Sequence, residues 1–186
     1  MKIENSTNPI TLVVFGATGD LYQNKLSVSL FNLFAQNLLP KNFRVIGFAR
    51  REFSDLEFQN FTREAILSRL RDASASQEKK LEEFLSHVQY VQGDLKDLES
   101  FKNLSSELGK KDGENKVCSN KLFYLAVPPD LYGVIFKNIS DAGLTVPCAP
   151  DVEDPKEKWT RVLVEKPFGK DIEDAKRLDA MLGSLF

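Results

Sequence analysis

The segment Gly16-Ala17-Thr18-Gly19-Asp20-Leu21 places two glycines three residues apart at the end of an apolar run, Ile10 to Phe15 (ITLVVF). In such a turn the first glycine permits a tight reversal into a helix. The second lets backbone N–H groups approach a phosphate, which the positive end of the helix dipole attracts. A glycine turn can also serve chain reversal alone. A second candidate is Ala49-Arg50-Arg51, which closes the run Phe43 to Phe48 (FRVIGF). At this strand end of a dinucleotide site an acid accepts from the ribose 2′-OH, whereas a cation accommodates a 2′-phosphate. Two guanidiniums stand where the acid would be, and one charge-assisted contact is worth ~1.5–3 kcal/mol, roughly ten- to hundredfold in affinity. This points to NADP, with solvated surface arginines as the alternative.

Two further segments close apolar runs. Val127-Pro128-Pro129 follows Lys121 to Val127 (KLFYLAV), with Tyr132 one turn further on. Prolines there could wall a crevice, and taken alone the segment reads as a strand terminator. Val164-Glu165-Lys166-Pro167-Phe168-Gly169 follows Arg161 to Val164 (RVLV). The lysine has three mobile donors for a substrate hydroxyl or phosphate, and burial would let it share in proton transfer. A solvated lysine is the plain alternative.

The elements that position these groups alternate. Strands are expected at Ile10 to Phe15, Phe43 to Phe48, Val88 to Val91, Lys121 to Val127 and Arg161 to Val164. Between them, helical spacing of apolar residues marks Lys25 to Leu38, a helix from the Ser54 cap to about Arg71, a turn or two over Glu78 to Leu85, Leu98 to Leu108 with Gly109 as C-cap, and a helix after Pro129 capped at Gly143. A last helix runs from the Asp171 cap to Leu182, Lys110 to Asn120 is expected as a polar loop, and Thr145 to Thr160 as a surface insertion. Parallel neighbours need a crossover long enough to hold a helix, so this alternation predicts an α/β fold, a doubly wound parallel sheet of Rossmann type. Residues 1–9 are expected as a flexible N-terminus and 10–186 as one dinucleotide-binding domain, able to bury about 70% of its unfolded surface.

Composition excludes other classes. With 25 Lys+Arg against 27 Asp+Glu the formal charge is −2, which removes the broad positive field of a non-specific nucleic-acid binder. No apolar run approaches the ~20 residues that span a bilayer, and Met1 to Asn8 lack the features of a secretion signal, so no membrane is expected and the protein reads as cytoplasmic. Cys118 and Cys148 fit no metal or redox spacing and are expected as reduced thiols; no metal is expected. The single histidine, His87, reads as structural or surface.

Gly16 to Leu21, Gly47-Phe48-Ala49-Arg50, Leu122 to Pro129, Tyr132 and Glu165-Lys166-Pro167-Phe168-Gly169, in that order, resemble glucose-6-phosphate dehydrogenase. The last segment is the specific one; the first is shared by many dinucleotide folds. The resemblance implies oxidation of glucose 6-phosphate to 6-phosphogluconolactone with hydride transfer to NADP, in the oxidative pentose phosphate pathway. It implies cofactor-binding roles for Gly16, Ala17, Thr18, Gly19, Asp20, Leu21, Arg50, Tyr132 and Lys166. Lys166 would also contact glucose 6-phosphate and position it against the nicotinamide, and Lys25 would lie near the cofactor.

This sequence also departs from that family. Tyr22 stands where the family usually carries Ala, and Gln23 and Asn24 where it carries lysine at one or both. A tyrosine there could push the helix outward or partly fill the pyrophosphate site. The insertion Thr145 to Thr160 is longer than the family's loop. The family's Arg-Ile-Asp-His-Tyr-Leu-Gly-Lys motif, which holds the general base, would begin shortly after Phe186, and the domain that completes the sugar site and mediates homo-oligomerisation would follow. The expectation is therefore a cofactor-binding part, with weak or absent glucose 6-phosphate binding and little turnover of its own. Two alternatives remain. One is an atypical short-chain-type NADP-binding redox sensor, whose catalytic Tyr-x-x-x-Lys is missing, since Phe136, Pro128, Asp94 and Leu26 stand four residues after the four tyrosines. The other is a non-catalytic binding module.

Overall fold

The computed structural model describes residues 9–70, 75–115, 118–147 and 158–185. Five strands, β1 (Ile10–Phe15), β2 (Phe43–Ala49), β3 (Val88–Gln92), β4 (Asn120–Leu125) and β5 (Thr160–Val164), form one sheet in the order β3-β2-β1-β4-β5. Every pairing is parallel; at the end of β1, Phe15 lies between Phe48 and Leu125. The helices are α1 (Ser27–Ala35), α2 (Asp55–Leu67), α3 (Ala75–Leu85), α4 (Leu98–Asn115), α5 (Tyr132–Asp141) and α6 (Ile172–Leu185). The fold is the doubly wound α/β arrangement of Rossmann type that the alternation predicts. Strand order reverses between β1 and β4, where such sheets open a crevice outside their carboxyl ends.

The period of two along each strand sends its side chains to two cores. Val13 and Phe15 pack with Phe123 and Leu125 against Phe101 and Leu104 of α4 and Ile135 and Ile139 of α5. Val14 and Val45 pack with Phe31 of α1, Phe58 of α2 and Phe84 of α3 on the other face. A strand covered on both faces is predominantly apolar, which is why ITLVVF shows no alternation, its one hydroxyl, that of Thr11, being bonded to Ser119.

Local signals at the helix ends behave as the residue types require. Ser54 and Glu57 form a reciprocal capping box at α2. Asp171 accepts from the Asp174 amide at 2.8 Å, ahead of α6. Gly143, at φ +70°, ends α5 with its amide on Ser140 and that of Leu144 on Ile139, the paired bonds of a Schellman cap.

Several expectations are corrected. The first helix begins at Asp20 rather than Lys25, and residues Tyr22–Leu26 form a π-helical turn closed by the Ser27 amide on the Tyr22 carbonyl. Gly109 does not stop α4, which continues to Asn115 through the expected polar loop. Its last turns are held by Asp112, whose carboxylate takes Lys121 Nζ at 2.9 Å and Ser119 Oγ at 2.8 Å, both in buried contact. The third helix begins at Ala75 rather than Glu78. Cys118 is disulfide-bonded, not a reduced thiol. The expectation for Cys148, and most of the insertion, lie outside the described residues. Thr160, the last residue assigned to that insertion, instead opens β5.

Candidate cofactor site

The glycine turn is built against β2 and β4. Gly16 takes φ +81°, a conformation that L side chains rarely adopt, and a Cβ there would lie 2.6 Å from both the Ala126 carbonyl oxygen and Val127 Cγ1. Its amide bonds the Phe48 carbonyl at 2.9 Å, and the Gly19 amide returns to the Gly16 carbonyl at 2.9 Å. Ala17 is buried, whereas Gly19 and Asp20 are exposed at the start of the helix. Gly16 and Gly19 thus add no side chain to the turn at the switch point, which leaves space where a pyrophosphate would approach.

Arg50 sits one residue beyond β2 and is exposed, with no hydrogen bond or ion pair from its guanidinium among the described residues. The Arg51 guanidinium instead lies 5.5 Å over the Phe53 ring. The two arginines that the sequence offers are thus divided: one engaged, one available for an anion.

On the opposite flank, Glu165 is held twice. Tyr124, on β4, donates its hydroxyl to the Glu165 carboxylate, and Tyr132, at the start of α5, donates to the Glu165 carbonyl at 3.2 Å. The Tyr132 ring is buried among Phe136 and Phe168, and its one donor is spent on that Glu165 carbonyl. Lys166 follows, exposed and without a partner among the described residues, before a cis Lys166–Pro167 bond. An exposed ion pair, Lys170 to Asp130 at 2.9 Å, also links the segments after β4 and β5.

Arg50, the glycine turn, Tyr132 and Lys166 thus follow β2, β1, β4 and β5 in turn along one edge of the sheet. The span from β2 to β5 is three inter-strand spacings, about 14 Å. A nucleotide's 2′-phosphate could meet one flank and a reacting sugar the other.

Tyr22 does not stand exposed in the glycine turn. It is completely buried on the α2 side, stacked on Phe58 at 5.4 Å with its hydroxyl 2.9 Å from Thr62 Oγ1. Desolvation pushes the phenol well above its ordinary range. The π turn starts at this residue. Lys25, on that turn, is exposed. His87 lies at the other end of the molecule, at the amino edge of the sheet, with Nδ1 3.1 Å from the Phe43 carbonyl and its ring 4.8 Å from that of Phe43.

Sequence reasoning missed Tyr124 and Glu165 as a pair. The only signal was their placement at the ends of adjacent runs, since β4 and β5 pair Leu125 with Val164.

A five-stranded parallel sheet in this order, with an unobstructed glycine turn at its switch point, defines a dinucleotide-binding domain of Rossmann type. The family described as "Glucose-6-phosphate dehydrogenase, NAD binding domain" matches residues 13–186, and the chain belongs to it. Among curated relatives, glucose-6-phosphate 1-dehydrogenase 5, cytoplasmic, of Arabidopsis thaliana is 36% identical over 193 residues, covering 97% of this chain and 34% of its own length. The Schizosaccharomyces pombe glucose-6-phosphate 1-dehydrogenase is 36% identical over 175 residues, covering 94% and 32%. A solved glucose-6-phosphate dehydrogenase in complex with its substrate glucose-6-phosphate superposes with a TM-score of 0.77 at 30% identity, covering 95% of this chain and 34% of that one. The chain thus spans about a third of the length of the relatives it matches. No helix among the described residues is long and apolar enough to cross a membrane.

Proposed function

We propose that these residues form the NADP-binding part of a glucose-6-phosphate dehydrogenase, which oxidises the anomeric carbon of glucose 6-phosphate and gives 6-phosphogluconolactone. The observation that carries the reading is the Arg50 guanidinium, unengaged beside a glycine turn whose backbone is bare at the switch point. The Gly16 to Leu21 turn receives the pyrophosphate at the start of the helix, on amides other than those of Gly16, Ala17 and Gly19, which are bonded within the turn and to β2, and Arg50 takes the 2′-phosphate. Tyr132, buried with its hydroxyl on the Glu165 carbonyl, supports the backbone that carries Lys166. Lys166 donates to glucose 6-phosphate and orients it towards the nicotinamide, which when bound supplies hydride acceptance.

No histidine of these 186 residues stands at the carboxyl edge, since His87, the single one, is at the other edge. The general base and the self-association surface are assigned to the rest of the parent protein. The assigned location is the cytoplasm, as in the name of the Arabidopsis relative.

Calorimetric titration tests the cofactor assignment. NADP should bind more tightly than NAD, with the preference collapsing roughly ten- to hundredfold in Arg50→Ala. Equal affinity for the two cofactors in the wild type would sink it. An assay of glucose 6-phosphate oxidation by the 186 residues alone should show no appreciable turnover; robust turnover would overturn the placement of the base outside them.

A further inference from the structure

Arg50 is attached to an unusually constrained stretch of backbone. Three consecutive carbonyls, those of Ala49, Arg50 and Arg51, all accept hydrogen bonds from β3 and the residue after it. The Tyr90 hydroxyl lies 2.8 Å from the Ala49 oxygen and 2.5 Å from the Arg51 oxygen. Gln92 Nε2 donates to the Arg50 oxygen at 3.2 Å, and the Gly93 amide to the Ala49 oxygen at 3.0 Å. The Tyr90 ring is itself fixed, 4.9 Å from Phe58 and edge-on to Phe53 at 5.6 Å, the same Phe53 that carries the Arg51 guanidinium. The Tyr90 amide is bound by Asp55 of α2 at 2.7 Å. A loop leaving a strand end normally samples several backbone conformations; this one is fastened at every carbonyl while its exposed arginine stays free.

We propose that Tyr90 and Gln92 are positioning residues for cofactor discrimination: by holding the carbonyls of Ala49, Arg50 and Arg51 they fix the backbone from which the Arg50 guanidinium meets a nucleotide 2′-phosphate. The proposal rests on the assignment of Arg50 given above. Its physical basis is preorganisation. A long side chain pays an ordering cost on binding, and an anchored backbone lowers the part of that cost due to the main chain. The benefit reaches only a ligand that touches Arg50, so it appears in the NADP to NAD ratio and not in affinity for the shared parts of the two cofactors.

The test is a set of calorimetric titrations of the 186-residue chain with NADP and with NAD, on the wild type, Tyr90→Phe, Gln92→Leu, Arg50→Ala and Tyr90→Phe/Arg50→Ala. Tyr90→Phe keeps the ring and removes only the hydroxyl. It and Gln92→Leu should each lower the NADP to NAD affinity ratio about three- to tenfold, the worth of one or two hydrogen bonds, with NAD affinity changed less than about twofold. In the Arg50→Ala background Tyr90→Phe should change the ratio no further. Equal weakening of both cofactors, or no change in either variant, would overturn the proposal. Should Tyr90→Phe not fold, Gln92→Leu, at an exposed side chain, decides alone. If Arg50→Ala leaves the ratio intact, the 2′-phosphate assignment fails and takes this proposal with it. If Arg50→Ala collapses the ratio while Tyr90→Phe and Gln92→Leu do not, only this proposal fails.

Discussion

Tyr124 on β4 donates its hydroxyl to the carboxylate of Glu165, one residue past the end of β5, so that two neighbouring strands are joined by side chains just where Lys166 leaves the sheet. Burial first, and the adjoining anion second, hold the phenol above its ordinary pKa. Removing the donor leaves a partly enclosed carboxylate short of one hydrogen bond. Tyr124→Phe should therefore lower unfolding stability by about 1–2 kcal/mol in urea titration, and Glu165→Gln, which still accepts, by less. An unchanged midpoint in Tyr124→Phe would show the bond to be dispensable.

Gly16→Ala is expected to be severe. The residue has φ +81° and a Cβ would collide with the backbone at Ala126. A non-glycine residue in this region costs of order 1–3 kcal/mol before any clash is counted. Thermal unfolding should detect that loss, and calorimetry should find NADP binding abolished even in the fraction that stays folded.

The Asp112–Lys121 pair is buried on both sides, at 8% and 7% exposure. Asp112→Ala strands the ammonium and should cost about 3–5 kcal/mol, whereas Asp112→Leu/Lys121→Met, which removes both charges, should recover most of it. Denaturant titration of the single and double variants distinguishes these outcomes. NADP affinity should be unaffected in every variant that folds, because the pair lies at the amino edge.

All four tyrosines are raised above 10.0 by burial, Tyr90 to about 12. Between the unfolded and folded values the folded state keeps protons that the unfolded chain has lost. Stability from these groups is therefore complete below about pH 10 and declines as the pH rises towards 12. Phenolate absorbance should stay flat through pH 10 and then rise together with loss of helical circular dichroism. A phenolate appearing with an ordinary midpoint in folded protein would contradict this.

Much of the architecture was legible because it follows from short-range pattern. Doubly covered strands read as continuous apolar runs, and Ser54, Asp171 and Gly143 act on backbone within a few residues of themselves. The glycine turn and Arg50 were legible for the same reason, since strand ends carry them. What the sequence hid is long-range. Asp112 and Lys121 look like solvated charges until β4 brings them together with Ser119 and Thr11, whose hydroxyls bond each other at 2.9 Å. Gly109 resembles a helix stop, yet no left-handed residue occurs there and the chain simply continues. Tyr22 looked like an intruder at the pyrophosphate because its partner, Thr62, is forty residues away. The roles of Tyr90 and Gln92 depend on β3 pairing with β2, which no local signal specifies.

Because all five strands run the same way, the sheet has two rims of different make-up. One carries the bare glycine turn, Arg50 and Lys166. The other is closed by the chain of contacts from Thr11 through Ser119 and Asp112 to Lys121, beside the disulfide at Cys118. The apolar strands between them insulate one from the other. Reinforcement at the second rim therefore lies away from the residues proposed to meet a nucleotide, whereas a change at the first, where Gly16 and the Tyr124–Glu165 contact also bear on stability, acts on both at once.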